Sequence, residues 1–346
     1  MPGHRAPHWT CTHESGLAAL LAAGLMDEFK AKYRPEAGYI RILDKAVDIQ
    51  FDENINGDDG FNRPEIDRGP LNEILLNSLM PGTVVWDQHF SSLAHEGDRI
   101  RLTFKNGTAA HADLVIGADG ANSKVRPYAT DLAPIYSGNM VLEGVVYDSA
   151  ITIPKMHELL NGGKIFALGD SKTLVVSSKG DGSLVFYTGC SLPENWPQES
   201  RIDFSDKARV TAWFKSEFAG WSEAWLELFE NANGPFIPRP QYCMPLDKSW
   251  HTLPNLTLIG DAAHIMPPYA GEGVNMAMLD ALELSQCLLS GTHNDIPSAL
   301  AAYEKQMHER FAEVGKETME NTKWMHSPDA LSILVNFFSQ AKIASD

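Results

Sequence analysis

The 346-residue sequence predicts an α/β protein: a domain with a parallel sheet, interleaved with an antiparallel β-rich module and followed by C-terminal helices. Two short strands, residues 114–116 and the run in "LPNLTLIGD", are wholly apolar, as expected of strands covered on both faces. Residues 136–192 between them hold short strands divided by "KGDGS"-type turns, which is typical of an antiparallel sheet. The chain is therefore predicted to leave an α/β domain, build a β-rich module and return.

Composition and charge limit the kinds of partner. The chain is 44% hydrophobic and 21% charged, which is ordinary for a globular protein. Its formal net charge of −17 comes with no block of Lys or Arg, which disfavours nucleic acid and anionic lipid. No apolar run approaches the ~20 residues that cross a bilayer. The apolar stretch 17–26 follows no compact basic leader, so it is interpreted as a buried helix.

Cysteine usage points to a reducing compartment. Cys11, Cys190, Cys243 and Cys287 stand far apart, without a CxxC pair or a histidine at zinc-finger spacing. We expect reduced thiols in a cytoplasmic protein without a metal site, disulfides or metal being the alternative. A monomer or weak homo-oligomer without a membrane anchor is expected.

The first third of the chain predicts helices around one strand pair. Leucines at helical spacing predict a helix over 16–33, and "YIRILDKAVDIQF" reads as two strands. In "NRPEIDRGPLNEILLNSLMPG", Asp67 can cap a helix whose first turn accepts Pro70. "TVVWDQHF" is then predicted to be a strand, and Asn106–Gly107 to form the tip of a hairpin.

The last third predicts three helices and the second apolar strand. A helix over 206–230 carries six aromatic residues, a stripe that is more often core than ligand surface. A helix over 273–289 and a long one from about Ser298 repeat apolar residues every three to four positions.

The stretch that ends the second apolar strand points to chemistry. In open α/β sheets, ligands lie beyond the carboxyl ends of the strands, where Asp261 would accept hydrogen bonds from vicinal hydroxyls. Gly260 allows a sharp turn there, and Pro267 and Pro268 stiffen the loop that follows.

The start of the next helix has few side chains that could block a ligand. Gly271 and Gly273 allow a flat ligand to approach the backbone, and Val274 and Asn275 open a helix whose free N–H groups favour an anion. A polyol joined to a flat ring that becomes anionic describes reduced flavin. A plain strand–turn–helix connection is the alternative.

Two motifs resemble those of the group A flavin monooxygenases, which have the p-hydroxybenzoate hydroxylase fold. The first is "GDAAHIMPPYAGEGVN", residues 260–275, and the second is "DLVIGADGANSKVR", residues 113–126. "NRPEIDRGPLNEILLNSL" with "VVWDQHF" is similar in particular to the tetracycline-inactivating branch of that family. The resemblance runs from about Ser15 to near the end of the chain.

The resemblance assigns roles to individual residues. It implies that Asp261 binds the ribityl chain, that Arg68 contacts the flavin or its ribityl chain, and that Asp119 and Gly120 lie near the pyrophosphate and the approach of NADPH. It also implies that four residues line the flavin ring: Gly271, Gly273, Val274 and Asn275. Gly260 and Pro268 complete the implied cofactor-binding residues. From the residues alone, Arg68 could equally form a surface ion pair, and Asp119 is more often a turn residue. Because the family's chemistry belongs to the flavin, the resemblance implies a structural role for His264.

The resemblance also implies an activity and a domain plan. An FAD- and NADPH-dependent monooxygenase would use O2, through a flavin C4a-hydroperoxide, to hydroxylate an aromatic, polycyclic or polyketide-like molecule. The domains would be a Rossmann-like FAD-binding domain in two parts, 1–130 and 235–295, a β-rich substrate domain, 131–234, and a C-terminal helical segment, 296–346. Strands around Lys164, Phe166 and Tyr187 are guesses for the pocket lining.

The chain departs from the family pattern at its start. The family opens with a strand and G-x-G-x-x-G, whose helix N-terminus holds the FAD pyrophosphate, and neither is present here. By comparison with the family, the FAD-binding domain is expected to be N-terminally truncated. A truncated gene product, a short form that binds FAD weakly, and a degenerate homologue remain open. The alternative function is therefore a flavin-deficient homologue, such as a scaffold protein or a non-redox isomerase.

Overall fold

The computed structural model describes residues 14–53 and 64–345. Within these residues the strands form sheets of seven, three and two strands. Cys11 lies outside the described residues. The mixed architecture, a large sheet covered by helices beside a smaller parallel pair, confirms the predicted α/β class.

The seven-stranded sheet has the order β11-β7-β10-β9-β8-β1-β2. Its neighbours are antiparallel except for β1 and β8, which pair in parallel with Ile42 opposite Phe166. The first pair of strands along the chain therefore completes the sheet that the β-rich module builds. The strands are β1 Ile40–Asp44, β2 Ile49–Glu53, β7 Ile135–Val146, β8 Lys164–Gly169, β9 Lys172–Ser178, β10 Leu184–Ser191 and β11 Ile237–Cys243.

One face of this sheet carries an aromatic core. Phe214, Phe229 and Trp225 pack against Phe186 of β10 in a buried cluster, as the aromatic stripe predicts. The predicted single helix over 206–230 is wrong in its middle, because Gly220 takes a left-handed φ of 87° and breaks it. The helices on this side are α5 Ser149–Thr152, α6 Pro154–Leu160, α7 Trp196–Glu199, α8 Lys207–Glu217 and α9 Leu226–Glu230.

The opposite face lies under the last helices of the chain. Phe166 and Val175 project from it into a cluster with Tyr269 and with Leu334 of the C-terminal helix. The long helix α12 spans Ile296–Met325 and α13 spans Ala330–Ser345, and these bounds confirm the predicted C-terminal helices.

The two wholly apolar strands pair in parallel, but Ile116 of the first strand is 42% exposed, so the prediction that this strand is covered on both faces is wrong. The two strands are β6, Val115–Gly117, and β12, Leu256–Leu258. A Cβ on Gly117 would lie 2.6 Å from Leu258 Cδ2, so glycine permits this close approach. Helix α11, Gly273–Leu289, follows β12 and packs through Leu284 in the same core; its bounds match the prediction.

The hairpin predicted around Asn106–Gly107 is confirmed. Strands β3 Phe90–Glu96, β4 Arg99–Phe104 and β5 Ala109–Ala112 form an antiparallel sheet, and Gly107 at the tip has a φ of 85°. The strand predicted from "TVVWDQHF" is wrong before Phe90. Asp87 turns the backbone with a φ of 62°, and Trp86 is 73% exposed, so nothing covers a strand face there.

The N-terminal helices are shorter than predicted. α1 spans Glu14–Ala22 and α2 spans Met26–Lys30, because Gly24 between them adopts a φ of 71°. Helix α3 spans Arg68–Asn77, but the Asp67 side chain does not cap it. That carboxylate instead accepts the N–H of Gly180 at 2.8 Å and pairs with Arg34 at 3.0 Å. None of the helices in the part of the chain described is long and apolar enough to cross a bilayer.

Candidate functional site

The chain reverses sharply at Gly260, directly after β12. Gly260 has φ 58° and ψ −145°, a conformation that glycine tolerates and residues with a Cβ avoid. The short helix α10, Asp261–His264, starts at the turn and carries the exposed carboxylate of Asp261. This confirms the predicted sharp turn and puts an acidic side chain at the carboxyl end of a parallel strand.

The Asp261 carboxylate faces the start of helix α11. Its Oδ1 lies 4.0 Å from the position that a Cβ on Gly273, the first residue of α11, would occupy. Glu272 at the N-cap makes no side-chain capping bond to this helix. The first-turn N–H groups and the positive dipole end of a 17-residue helix thus open beside Asp261.

A stiff loop connects the two parts of this opening. Pro267 has a φ of −58°, a 3-10 turn covers Pro268–Ala270, and Gly271 ends it with a left-handed φ of 71°. Gly271, Gly273 and Val274 are half-buried and Pro268 is exposed, so the front of the loop is accessible. Asn275 is buried, with its Nδ2 3.5 Å from Gly271 O.

The back of the loop is held by buried polar residues of α12. Thr318 Oγ1 donates to Pro267 O at 3.2 Å, and Asn321 Nδ2 donates to Tyr269 O at 3.1 Å. Both α12 residues are buried, so breaking either bond would leave a polar group without a partner in the core. The loop is therefore fixed from behind and open in front.

Arg126 joins the two motifs. This residue is 6% exposed. Its guanidinium donates from Nε to Ala262 O at 2.7 Å and from Nη2 to Asp261 O at 2.7 Å. The same Nη2 donates to Ala121 O at 3.0 Å, next to the Asp119–Gly120 turn. Burial lowers the pKa of Arg126, and the nearby carboxylates of Asp119 and Asp261 oppose that shift. Arg126 is the first residue of helix α4, Arg126–Ala129.

The Asp119 carboxylate is used inside its own turn. It accepts hydrogen bonds from the Ser123 hydroxyl, from Lys124 N at 2.7 Å and from Val125 N at 3.3 Å, while Gly120 has a φ of 79°. A cleft of ≈ 290 Å³ opens beside this turn, lined by Ser123, Arg126, Pro127 and residues 130–134. The motif therefore shapes a turn and one wall of a cleft.

His264 lies in the core rather than at the opening, which agrees with its interpretation as structural. It is 1% exposed, and its Nε2 lies 2.6 Å from Oδ2 of Asp280, a fully buried carboxylate of α11. Gly260 N donates to the same oxygen at 2.7 Å, and Arg310 Nη2 donates to Oδ1 at 2.6 Å. Burial alone would raise the pKa of Asp280, but the His264 contact, the Gly260 N–H and Arg310 lower it overall.

Arg126 and Asp280 are site residues that the sequence analysis did not identify. Asp280 lies four residues from Met276 and four from Leu284, both buried, so it occupies the core stripe of an amphipathic helix. A lone carboxylate in that stripe is a recognisable signal, since buried charges are rarely tolerated without partners. Arg126 has no comparable signal, because its burial depends on residues 136 positions away.

Arg68 lies across a small apolar cluster from the helix start. It is the exposed first residue of α3, and Leu71 and Ile74 of that helix pack in a cluster that includes Val274. Arg126 links the Asp119–Gly120 turn to the Gly260 turn, because it bonds to Ala121 O on one side and to Asp261 O and Ala262 O on the other. The other predicted cofactor-binding residues lie along one turn–loop–helix segment: Gly260, Asp261, Pro268, Gly271, Gly273, Val274 and Asn275.

The three strand residues suggested as pocket lining have different surroundings. Lys164 forms a buried ion pair with Glu65, Nζ to Oε1 2.5 Å, and Phe166 packs in the cluster that contains Tyr269. Tyr187 is half-buried. The large sheet therefore meets the loop at Tyr269.

The residues present fit the ring and ribityl parts of a flavin. An exposed carboxylate suits vicinal hydroxyls, and a helix start without a capping side chain suits an anionic ring edge. For a metal the fit is poor: within residues 14–53 and 64–345, no group of three or more His, Cys, Asp or Glu could hold an ion.

Comparison with known proteins agrees with this geometry. Residues 250–318 match the FAD binding domain model, a segment that contains the Gly260 turn, the loop and α11. Monooxygenase penA of Penicillium thymicola is 25% identical, over 93% of this chain and 85% of its own length. 3-Amino-4-hydroxybenzoate 2-monooxygenase PtmB3 of Streptomyces platensis is 30% identical over 76% of this chain, which spans 64% of PtmB3.

Solved structures extend the likeness to the fold. Tetracycline destructase Tet(55) superposes with a TM-score of 0.71 at 20% identity, over 94% of this chain and 84% of its own. At that identity the likeness is one of fold. Curated relatives of this chain are thus named monooxygenases, and the chain shares the fold of the solved structure that it superposes on.

Proposed function

We propose that this protein is an FAD-dependent monooxygenase that uses NADPH, or NADH, and O2 to hydroxylate an electron-rich aromatic small molecule. The observation that carries the proposal is the pairing of the exposed Asp261 carboxylate with the uncapped start of α11 across a rigid loop. The family likeness supplies the reaction class.

The overall reaction would balance as substrate C–H plus O2, NAD(P)H and H⁺ giving substrate C–OH, NAD(P)⁺ and water. When bound, FAD supplies the hydride acceptor and the oxygen-activating ring. The oxygen-transfer route that the family resemblance implies is part of this proposal.

The chain's own residues would bind and orient. Asp261 would accept hydrogen bonds from the ribityl hydroxyls, and Arg68 would contact the flavin or its ribityl chain. The ring would lie along the loop and the helix start, against Gly260, Pro268, Gly271, Gly273, Val274 and Asn275. Gly271 and Gly273 keep that surface free of side chains, and the α11 dipole favours negative charge at the ring edge.

Asp119 and Gly120 would lie near the pyrophosphate and the approach of the nicotinamide cofactor. The cleft beside that turn supports this assignment, because Ser123 and Arg126 of the same motif line it. With its carboxylate used in the turn, Asp119 would act by shaping the backbone.

The substrate would lie between the loop and the large sheet. Tyr269 of the loop packs in one buried cluster with Phe166 and Val175 of the large sheet, so the loop and the sheet are neighbours. PtmB3 is named for an aminohydroxybenzoate and Tet(55) for tetracycline, which supports a substrate range from single rings to polycyclic or polyketide-like molecules. We propose a cytoplasmic monomer or weak homo-oligomer in which the two FAD-binding parts, 1–130 and 235–295, also contribute β1, β2 and β11 to the large sheet.

Flavin binding is the first test. The purified full chain should gain the visible absorption of flavin when FAD is added, and Asp261→Ala should abolish flavin retention. Asp113→Ala, an exposed aspartate paired with Arg99 on the surface, is the matched control and should retain flavin. Parent protein should then oxidise NADPH faster when aromatic acids or polyketides are added.

Two results of the flavin-binding test would contradict the proposal. If the protein stays colourless and FAD leaves its melting temperature unchanged, the flavin-deficient alternative replaces this proposal. If Asp261→Ala keeps its flavin, the role given to Asp261 is wrong even if the enzyme is active.

A further inference from the structure

We propose that Asp280 is a positioning residue for the flavin site, whose buried carboxylate holds the Gly260 turn and so orients Asp261. This inference rests on the proposed function only for its consequence for FAD, since the geometry of the turn stands on its own. Asp280 does not reach the opening and therefore acts through the backbone of its neighbours.

The Asp280 carboxylate is fully occupied on both oxygens. Oδ2 accepts Gly260 N at 2.7 Å and contacts His264 Nε2 at 2.6 Å, while Oδ1 accepts Arg310 Nη2 at 2.6 Å. A carboxylate that is completely buried is tolerated only when such partners replace water. The three donors therefore determine where this carboxylate lies, and the carboxylate determines where the amide of Gly260 lies.

The turn is held from two sides. Asp280 holds the N–H of Gly260, and Arg126 holds the carbonyls of Asp261 and Ala262. Gly260 has unusual freedom in φ and ψ, so without these bonds the turn has many other conformations. Losing Asp280 would release the amide side while Arg126 still holds the carbonyl side, and the Asp261 side chain would rotate away from the start of α11.

The network includes a residue that provides a matched control. Arg310 Nη1 also pairs with Glu283 Oε2 at 2.5 Å. Within residues 14–53 and 64–345, the Glu283 side chain makes no hydrogen bond or ion pair with the Gly260 turn. Glu283→Gln therefore weakens the same Arg310 cluster between α11 and α12 without touching the turn. A purely structural role for the cluster predicts a loss of overall stability from either substitution, whereas a positioning role predicts that only Asp280→Asn changes the Gly260 turn itself.

Asp280→Asn is the informative change. The amide keeps the shape of the carboxylate but has one acceptor oxygen, and the charged Arg310 attracts that oxygen more strongly than a neutral N–H does. The amide nitrogen then faces Gly260 N, donor against donor. The bond to the turn is lost with little change in packed volume.

The experiment uses the full chain in five forms: parent, Asp280→Asn, Glu283→Gln, Asp261→Asn, and the double variant with both Asp261→Asn and Asp280→Asn. FAD affinity is measured by titration of flavin fluorescence, and hydrogen exchange is measured on flavin-free protein over residues 258–264. We expect Asp280→Asn to weaken FAD binding by about tenfold or more, and Glu283→Gln to change it by less than about threefold. In the Asp261→Asn background, Asp280→Asn should weaken binding little further, since its effect passes through Asp261.

Hydrogen exchange decides the point without flavin. The Gly260 amide should exchange slowly in the parent although it lies in a turn, and Asp280→Asn should accelerate exchange locally, whereas Glu283→Gln should not. The exchange rate of the Gly260 amide in the parent can be measured without any variant, so the test remains possible even if Asp280→Asn does not fold.

Each outcome has one meaning. If the parent protein binds no FAD but Asp280 protects the Gly260 amide from exchange, the proposed function is refuted and the role of Asp280 in holding the turn stands. A parent with a fast-exchanging Gly260 amide overturns the inference. So does a parent that binds FAD as tightly as Asp280→Asn, or an Asp280→Asn effect that is fully additive with Asp261→Asn.

Discussion

Arg126 provides the sharpest test of how the two motifs are connected. One buried guanidinium serves three backbone carbonyls, those of Ala121, Asp261 and Ala262, at 2.7 to 3.0 Å. Replacement by Ala removes all three donors at once. The Asp119–Gly120 turn and the Gly260 turn would then lose their direct link.

The expected loss of stability follows from these contacts. A hydrogen bond to a charged group contributes roughly 1.5–3 kcal/mol, so three bonds would sum to about 4.5–9 kcal/mol if they were additive. They are not additive, because truncation also removes the cost of burying the charge, and we expect about 3–5 kcal/mol for Arg126→Ala. Against a typical total of about 5–15 kcal/mol, this is a large fraction. Arg126→Lys keeps the charge but lacks the planar guanidinium that places donors at both Nε and Nη2, so its loss should be intermediate.

The assay is urea-induced unfolding at neutral pH, followed by tryptophan fluorescence, with the free energy of unfolding extrapolated to water. Arg99→Ala is the control, since Arg99 pairs with Asp113 on the surface with side-chain exposures of 64% and 74%. Such exposed pairs contribute about 0–1 kcal/mol. If Arg126→Ala costs no more than Arg99→Ala, the guanidinium does not hold the two turns together and the reasoning fails.

Three further predictions concern other parts of the chain. Folding lowers the pKa of Asp280 from its unfolded value of about 3.8. The stability that this carboxylate contributes is therefore present above about pH 3.8 and is lost as the pH falls below that value. Asp280→Asn should then weaken the dependence of the free energy of unfolding on pH at the acid end. Gly117→Ala should destabilise by about 1–3 kcal/mol in urea unfolding, because its Cβ would overlap Leu258 and Val125, and unchanged stability would show that β6 can shift. Burial raises the pKa of Cys190 to about 12, so its thiol should resist alkylation in native protein at pH 8 and react after unfolding; rapid native labelling would contradict its burial.

Local sequence signals predicted much of the fold. The helix of residues 273–289, the Asn106–Gly107 hairpin and the sharp turn at Gly260 each follow from residue types whose conformational preferences act within a few positions. The prediction that the aromatic stripe over 206–230 lies in the core is also confirmed. Large apolar side chains are buried whether or not the helix that carries them is continuous.

Other features depend on partners distant in the chain. Nothing in "YIRILDKAVDIQF" shows that its first strand pairs in parallel with β8, more than 100 residues later. "TVVWDQHF" has strand-forming residues, yet Asp87 turns the backbone and the apolar side chains stay exposed. β-propensity is decided by cross-strand neighbours, which a single segment does not reveal.

The candidate site divides in the same way. Asp261, Gly271 and Gly273 were assigned from particular residue types at particular spacings, and their flavin-binding roles stay predictions. Asp280 and Arg126 act through buried hydrogen bonds to distant backbone groups, and such bonds become visible only when the folded geometry is known.

The central claim is that the turn, loop and helix start from Gly260 to Asn275 bind a flavin. The most direct measurement is a crystal structure of the full chain grown with FAD. The account predicts an isoalloxazine ring against Gly271, Gly273 and Val274, with the Asp261 carboxylate hydrogen-bonded to the ribityl hydroxyls. A structure that shows saturating FAD absent and the opening filled by the protein's own side chains would contradict it.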